Sequence, residues 1–202
     1  MAITAQQFAI MEKRLASPRR LPEPIPNSPV AAVSISTQIV LGIDPSLRGT
    51  GYGIIRQERR QLVSLGFGTI TCPAGWERSR CLAKISEKLR EVIRTHQPTI
   101  CVVEGLFYAQ NLQTALIMGE ARGASLAVAA EAGLPIFEIA PRKVKQAIVG
   151  YGAAQKLAVA KMVQRMLRLS EAPAADAADA LAVALAHLQS GGPCSLGTAK
   201  RI

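Results

Sequence analysis

The stretch QIVLGIDPSLRGTGYGIIRQ, residues 38–57, holds two strand-like runs separated by a proline- and glycine-containing connection. QIVLGID (38–44) is a short apolar run that ends on an acid, Asp44. YGIIRQ (52–57) has the β-branched and aromatic content of a second strand, and LVSLGFGTIT (62–71) supplies a third. Three strands in succession with tight connections predict an antiparallel meander.

Beyond the meander the period changes. Leu82, Ile85, Leu89 and Ile93 recur at spacings of three and four, with Lys, Arg and Glu opposite, which predicts an amphipathic helix ended by Pro98. TICVVEG (99–105) is a continuous apolar run, as in a strand covered on both faces. A helix over 111–132 follows, and its Gly119 and Gly123, four apart, predict close approach of another element at some cost in helix propensity. PIFEIA (135–140) is another strand, two helices lie near 142–149 and 153–169, and PAADAADALAVALAHL (173–188) is the last helix. The order β-β-β-α-β-α-β-α-α-α predicts an α/β fold with a mixed five-stranded sheet and helices on both faces.

Residues 1–37 contain PRRLPEPIPNSP and lack periodicity, so they read as a flexible N-terminal extension. Residues 38–190 form the expected domain, and 191–202 a basic C-terminal tail. The secretory pattern is missing from the N-terminus, and no apolar run approaches a membrane span. A cytoplasmic location is expected, with an organelle transit peptide in residues 1–37 left open. Cys72, Cys81, Cys101 and Cys194 form no C-x-x-C pair and no zinc spacing, which favours a reducing compartment; Cys101 reads as core.

The chain carries 24 Lys and Arg against 14 Asp and Glu, a net charge of +10. Four basic and two acidic residues precede Gln38, so most of the excess lies on the body. A basic globular body suits a polyanionic partner, nucleic acid before membrane.

Four acids fall where packing does not explain them. Asp44 and Glu104 each end an apolar strand, and burying an unpaired carboxylate is costly. Asp176 and Asp179, three apart, share one helix face. Each has an ordinary alternative: Asp44-Pro45 can open a turn, Glu104 can pair with an arginine, and the two helical acids can complement the helix dipole. Taken together, they point to one site at the carboxyl ends of adjacent strands. Clustered carboxylates repel unless a cation intervenes, and oxygen-only ligation selects Mg²⁺, with Mn²⁺ as a substitute. Four carboxylates suffice for two ions about 4 Å apart, the arrangement that serves phosphodiester cleavage.

These residues lie within LGIDPSLRGTGYGII, VVEGLFYAQN, GEARG, APRKVKQAIVGYGAAQK and ADAADALAVALAH. In this order, from Leu41 to Leu188, they resemble the RuvC family of Holliday-junction resolvases. The resemblance implies a ribonuclease-H-like fold and a homodimeric, Mg²⁺-dependent endonuclease. Such an enzyme makes paired symmetric nicks in four-way DNA junctions during recombination and DNA repair, beside a branch-migration complex of the RuvA and RuvB type. By motif, the catalytic carboxylates fall on Asp44, Glu104, Asp176 and Asp179, the basic DNA contacts on Lys145 and Lys156, and an aromatic DNA contact on Phe107. Two positions depart from the commonest family pattern: Ser46 stands where glycine is usual, and Gly105 where a polar residue is usual.

The residues support those DNA roles independently. Arg142, Lys143, Lys145 and Lys156 surround a glycine-containing loop suited to phosphate contacts. Phe107 and Tyr108 follow the acidic strand, where they suit base stacking or a wedge, with core packing as the alternative. Arg122 suits either a phosphate contact or an ion pair in the neighbourhood of Glu120. Competing functions are an ATP-dependent phosphotransferase, a non-catalytic junction binder and a nuclease for structured RNA. The first lacks a second phosphate motif, and the second has little use for four acids.

Overall fold

Six strands form one mixed sheet in the computed structural model, which describes residues 37–59, 61–105, 112–190 and 199–202. The expected N-terminal extension lies almost wholly outside the described residues, as do Phe107, Tyr108, Cys194 and most of the C-terminal tail. The meander is present as β1 (Gln38–Asp44), β2 (Gly49–Glu58) and β3 (Gln61–Thr71), paired antiparallel in succession. Helix α1 (Arg78–His96) carries the chain across to β4 (Ile100–Glu104), which runs parallel to β1. Helix α2 (Leu112–Glu131) then leads to β5 (Ile136–Ile139), parallel to β4. The remaining helices are α3 (Pro141–Val149), α4 (Lys156–Leu167) and α5 (Ala175–Ser190).

The sheet order is β3-β2-β1-β4-β5-β6. The sixth strand, Lys200–Arg201, corrects the five-stranded expectation: it pairs antiparallel with β5, matching Lys200 to Glu138 and Arg201 to Phe137. The Ile202 N–H extends the pairing to the Ile136 carbonyl at 3.1 Å. Two basic residues carry no strand signature of their own; the open edge of β5 provides the partner.

The sheet separates two apolar layers. On one side Leu41, Ile43, Cys101 and Val103 pack with α1 and α2. On the other, Val40, Ile55 and Val102 pack with α3, α4 and α5. The buried stripe of α1 is Cys81, Ile85, Leu89 and Val92, with the predicted Leu82 and Ile93 at its flanks. The helix ends at Gln97, whose φ of 48° lets its N–H reach the Ile93 carbonyl at 2.9 Å before Pro98 stops the run.

Helix α5 is the most enclosed element. Every residue from Ala180 to Ala186 is at most 1% exposed. The seat beneath it is made of missing side chains. Gly42 of β1 stands opposite Gly53 of β2, and Asp44 stands opposite Gly51. A Cβ added to Gly42 would land on the Ala180 carbonyl oxygen, one on Gly51 on the Asp176 carbonyl, and one on Gly53 against the Leu181 side chain. Small residues on both surfaces therefore let backbone approach backbone. Gly119 and Gly123 of α2 behave oppositely: among the described residues, a Cβ at either meets nothing within 4 Å, so the predicted close approach is not made there.

These contrasts set an expected pair of outcomes. Gly42→Ala overpacks the seat and should destabilise the protein by about 3 kcal/mol, a fall in melting temperature of about 6–12 °C. Gly119→Ala and Gly123→Ala should each leave the melting temperature unchanged or raise it slightly, through about 0.5–1 kcal/mol of helix propensity. Calorimetric melting of the three variants checks both.

Candidate active site

Because β1 and β4 run in parallel with Ile43 matched to Val103, their last residues, Asp44 and Glu104, emerge side by side. Alternation along each strand turns both acids toward the face that carries α5. The two side chains share a hydrogen bond, which requires one proton between them. Burial is the main cause that lifts Asp44 to about 6 and Glu104 to about 8. The charge of Asp179 and of the partner acid adds to the lift of Glu104. For Asp44 the hydrogen bond with Glu104 works in the opposite direction.

The turn behind Asp44 is tightly fixed. The Thr50 hydroxyl, fully buried, donates to the Ser46 carbonyl at 2.5 Å and accepts from the Ser46 N–H at 3.2 Å. Ser46 thus fits the turn without needing glycine. The Arg48 guanidinium donates to the Pro73 carbonyl at 2.6 Å, the Trp76 carbonyl at 2.9 Å and the Cys81 thiol at 3.1 Å, tying the turn to the start of α1. Cys72, Cys81 and Cys101 are free and buried.

The first turns of α5 bring in the other two acids. Asp179 is coupled electrostatically to both Asp44 and Glu104. Asp176 is the weakest influence named on Asp44 and lies over Gly49, where its Oδ2 would stand 2.7 Å from an added Cβ. All four predicted carboxylates therefore meet at one end of the sheet, with Asp44, Glu104 and Asp179 at the centre and Asp176 toward β2. Among the described residues, no three His, Cys, Asp or Glu side chains already close around a single point. Asp44 and Glu104 are engaged with one another, and a cation already occupies Asp179.

That cation is Lys156, the first residue of α4. Its ammonium donates to Asp179 Oδ2 at 2.8 Å while its side chain stays 66% exposed. The hydrogen bond to Asp179 raises the lysine pKa, and the lysine charge lowers both Asp44 and Glu104. Arg142 and Lys143 are exposed on the first turn of α3 and Lys145 is half-buried. Gly152, in the following loop, packs against the Arg142 side chain.

Of the two sequence expectations for Arg122 an ion pair is present, with Glu138 rather than Glu120. Its Nη1 donates to the backbone carbonyl of Glu104 at 2.7 Å, and its Nη2 pairs with the Glu138 carboxylate; Glu120 pairs instead with Arg78. Glu138 went unnoticed in the sequence, although an acid inside the apolar run PIFEIA is the same signal that marked Glu104.

A family model described as crossover junction endodeoxyribonuclease RuvC matches residues 40–187. A protein of that name from Akkermansia muciniphila is 45% identical over 154 residues, covering 76% of this chain and 92% of the relative. Another from Haemophilus ducreyi is 49% identical over 152 residues, covering 75% and 79%. The solved structure of T. thermophilus RuvC in complex with a Holliday junction substrate superimposes with a TM-score of 0.73 at 34% identity, covering 82% of this chain and 99% of that one. With a meander-plus-crossover sheet and acids at the ends of β1, β4 and α5, the chain belongs to the RuvC family of crossover junction endodeoxyribonucleases.

Proposed function

We propose that the chain resolves four-way DNA junctions by metal-assisted hydrolysis of phosphodiesters, with Asp44, Glu104, Asp176 and Asp179 as its reaction centre. The observation that carries this reading is the meeting of the β1 and β4 acids beneath the first turns of α5. The donor set fits a divalent ion: it is all oxygen, largely buried, and so short of positive charge that two carboxyls share a proton. Asp44, Glu104 and Asp179 would hold the ion, with Asp176 completing a second position on the β2 side. Bound there, Mg²⁺ or Mn²⁺ supplies Lewis acidity toward the scissile phosphate and a more acidic water.

The protein groups do the rest. Holding such an ion would require Asp44 and Glu104 to be ionised, so occupancy and ionisation would be linked. Asp44 and Asp179 hold their oxygens toward the centre from two rigid elements, which removes the cost of ordering them during reaction. Lys156 serves as the counter-charge of Asp179, and its largely exposed ammonium would also be within reach of a DNA phosphate. Arg142, Lys143 and Lys145 bring further positive charge to α3, where phosphate contacts set the register of the DNA without reading its sequence. Phe107 and Tyr108 would serve the junction by base stacking or as a wedge. Paired nicks in a two-fold junction need two such sites, which a homodimer supplies. A branch-migration complex of the RuvA and RuvB type would be its partner in the cytoplasm.

Labelled four-way junction, linear duplex and an RNA hairpin, each incubated with Mg²⁺ or EDTA, test the reading directly. Symmetric paired nicks confined to the junction with Mg²⁺ support it; equal cutting of the hairpin would favour an RNA nuclease. Asp44→Asn, Glu104→Gln and Asp179→Asn should each lower the nicking rate by more than about 100-fold while preserving junction binding in EDTA. Substantial nicking by Asp44→Asn would defeat the site. Lys145→Ala should weaken binding and reduce the slope of log Kd against log salt by about 1.

The proton on Glu104 also predicts a pH effect on the metal-free protein. Both acids have folded pKa values above their unfolded ones, so the folded state holds protons that the unfolded chain releases near pH 4. Their stabilising contribution is complete below that range and is lost as pH rises through about 6 and about 8. Glu104→Gln should therefore melt several degrees above wild type at pH 8 in EDTA, with a smaller gap at pH 5. Equal gaps at both pH values would refute the assignment of the raised pKa.

A further inference from the structure

The end of β4 is held from the opposite side of the sheet by a group that the carboxylate centre does not include. The parallel ladder between β1 and β4 ends at Ile43 and Val103. Pro45, which follows Asp44, has no N–H with which to extend it. The Glu104 carbonyl receives the Arg122 Nη1 instead, at 2.7 Å. The same guanidinium, only 11% exposed, pairs through Nη2 with Glu138. Glu138 lies on β5 opposite Val103, on the α2 face, while Ile139 stands opposite Glu104.

Gly105 completes the arrangement. Its N–H donates to the Ile139 carbonyl at 2.9 Å, and a Cβ at this position would stand 3.3 Å from both Cγ and Oε1 of Glu138. The Glu138 side chain thus packs where the side chain of a larger residue would begin. A planar guanidinium fixes two acceptors at once in a defined geometry, which a single point charge does not.

From these contacts we infer that Arg122 and Glu138 are positioning residues for Glu104: a clamp on the α2 face that sets the direction in which the acid leaves β4. The inference rests on the assignment of Glu104 to the reaction centre. Neither residue touches the reacting atoms. The ion pair acts on the backbone of β4, with α2 and β5 as its two rigid supports.

The experiment compares Arg122→Gln, Arg122→Lys, Glu138→Gln and the double variant Arg122→Gln/Glu138→Gln with wild type and Glu104→Gln. Four readouts are taken: single-turnover nicking of saturating four-way junction in Mg²⁺, junction Kd in EDTA, melting temperature, and amide exchange at Gly105 in the absence of divalent ion. Arg122→Gln should nick about 10–100-fold more slowly at unchanged Kd, with exchange at Gly105 accelerated about 10-fold. Arg122→Lys, which keeps the charge but not the fork, should fall between it and wild type. The double variant relieves the unpaired Glu138 carboxylate and should recover melting temperature without recovering rate.

Wild-type rates in both Arg122 variants would overturn the clamp, as would a rate that returns together with melting temperature in the double variant. Should Arg122→Gln fail to fold, Arg122→Lys and Glu138→Gln decide the question by the same readouts. Glu104→Gln separates the two ideas. Inactive Glu104→Gln beside fully active Arg122 variants removes the clamp alone, whereas active Glu104→Gln removes the reaction centre and the clamp with it.

Discussion

The fold depends on contact between the backbone of α5 and a patch of the sheet without side chains. Gly42, Gly51 and Gly53 leave the centre of β1 and β2 bare, and Ala177, Ala180 and Ala184 keep the helix equally smooth where it meets them. At ordinary helix–sheet spacing, Asp176 and Asp179 would stand a side chain's length farther from Asp44 and Glu104. The close seat therefore fixes the size of the acidic centre as well as the core. The helix is rich in alanine because it must be both buried and thin.

A centre made this way is electrostatically unfinished. Burial and mutual repulsion favour the protonated acids, and the protein answers with a shared proton and one lysine from α4. Both are replaceable counter-charges held by weakly committed partners: the proton titrates near neutrality, and Lys156 remains largely exposed. The polar contacts on the other side differ in kind. Arg48, in the turn after β1, binds the Pro73 and Trp76 carbonyls, and Arg122 binds the Glu104 carbonyl at the end of β4; both hold the framework steady while charges at the centre change.

Much of this was legible in the sequence because the signals were strong and local. Three strands with glycine-rich connections, an apolar run ending in Glu104 and a helical pair at Asp176 and Asp179 indicated the order of elements along the chain and four acids that the fold brings to one end of the sheet. Periodicity alone could not reveal what depends on tertiary docking. Gly119 and Gly123 looked like a contact surface, yet the glycines that admit a neighbour are in β1 and β2. Arg122 had no readable partner, because Glu138 is brought to it only by the parallel pairing of β4 with β5. Lys156 read as a DNA contact, and its ion pair with Asp179 emerged only from the placement of α4 beside α5. The last strand was invisible, since two residues carry no period and borrow their conformation from β5.

That last strand has a bearing on self-association. A parallel strand left open at the border of a sheet offers unpaired N–H and carbonyl groups to any extended chain, including another copy of the same protein. On β5 those groups are engaged by Arg201 opposite Phe137, Lys200 opposite Glu138 and the Ile202 N–H at the Ile136 carbonyl, and the new border presents two exposed cations. A second molecule approaching in the same way meets like charge rather than an apolar template.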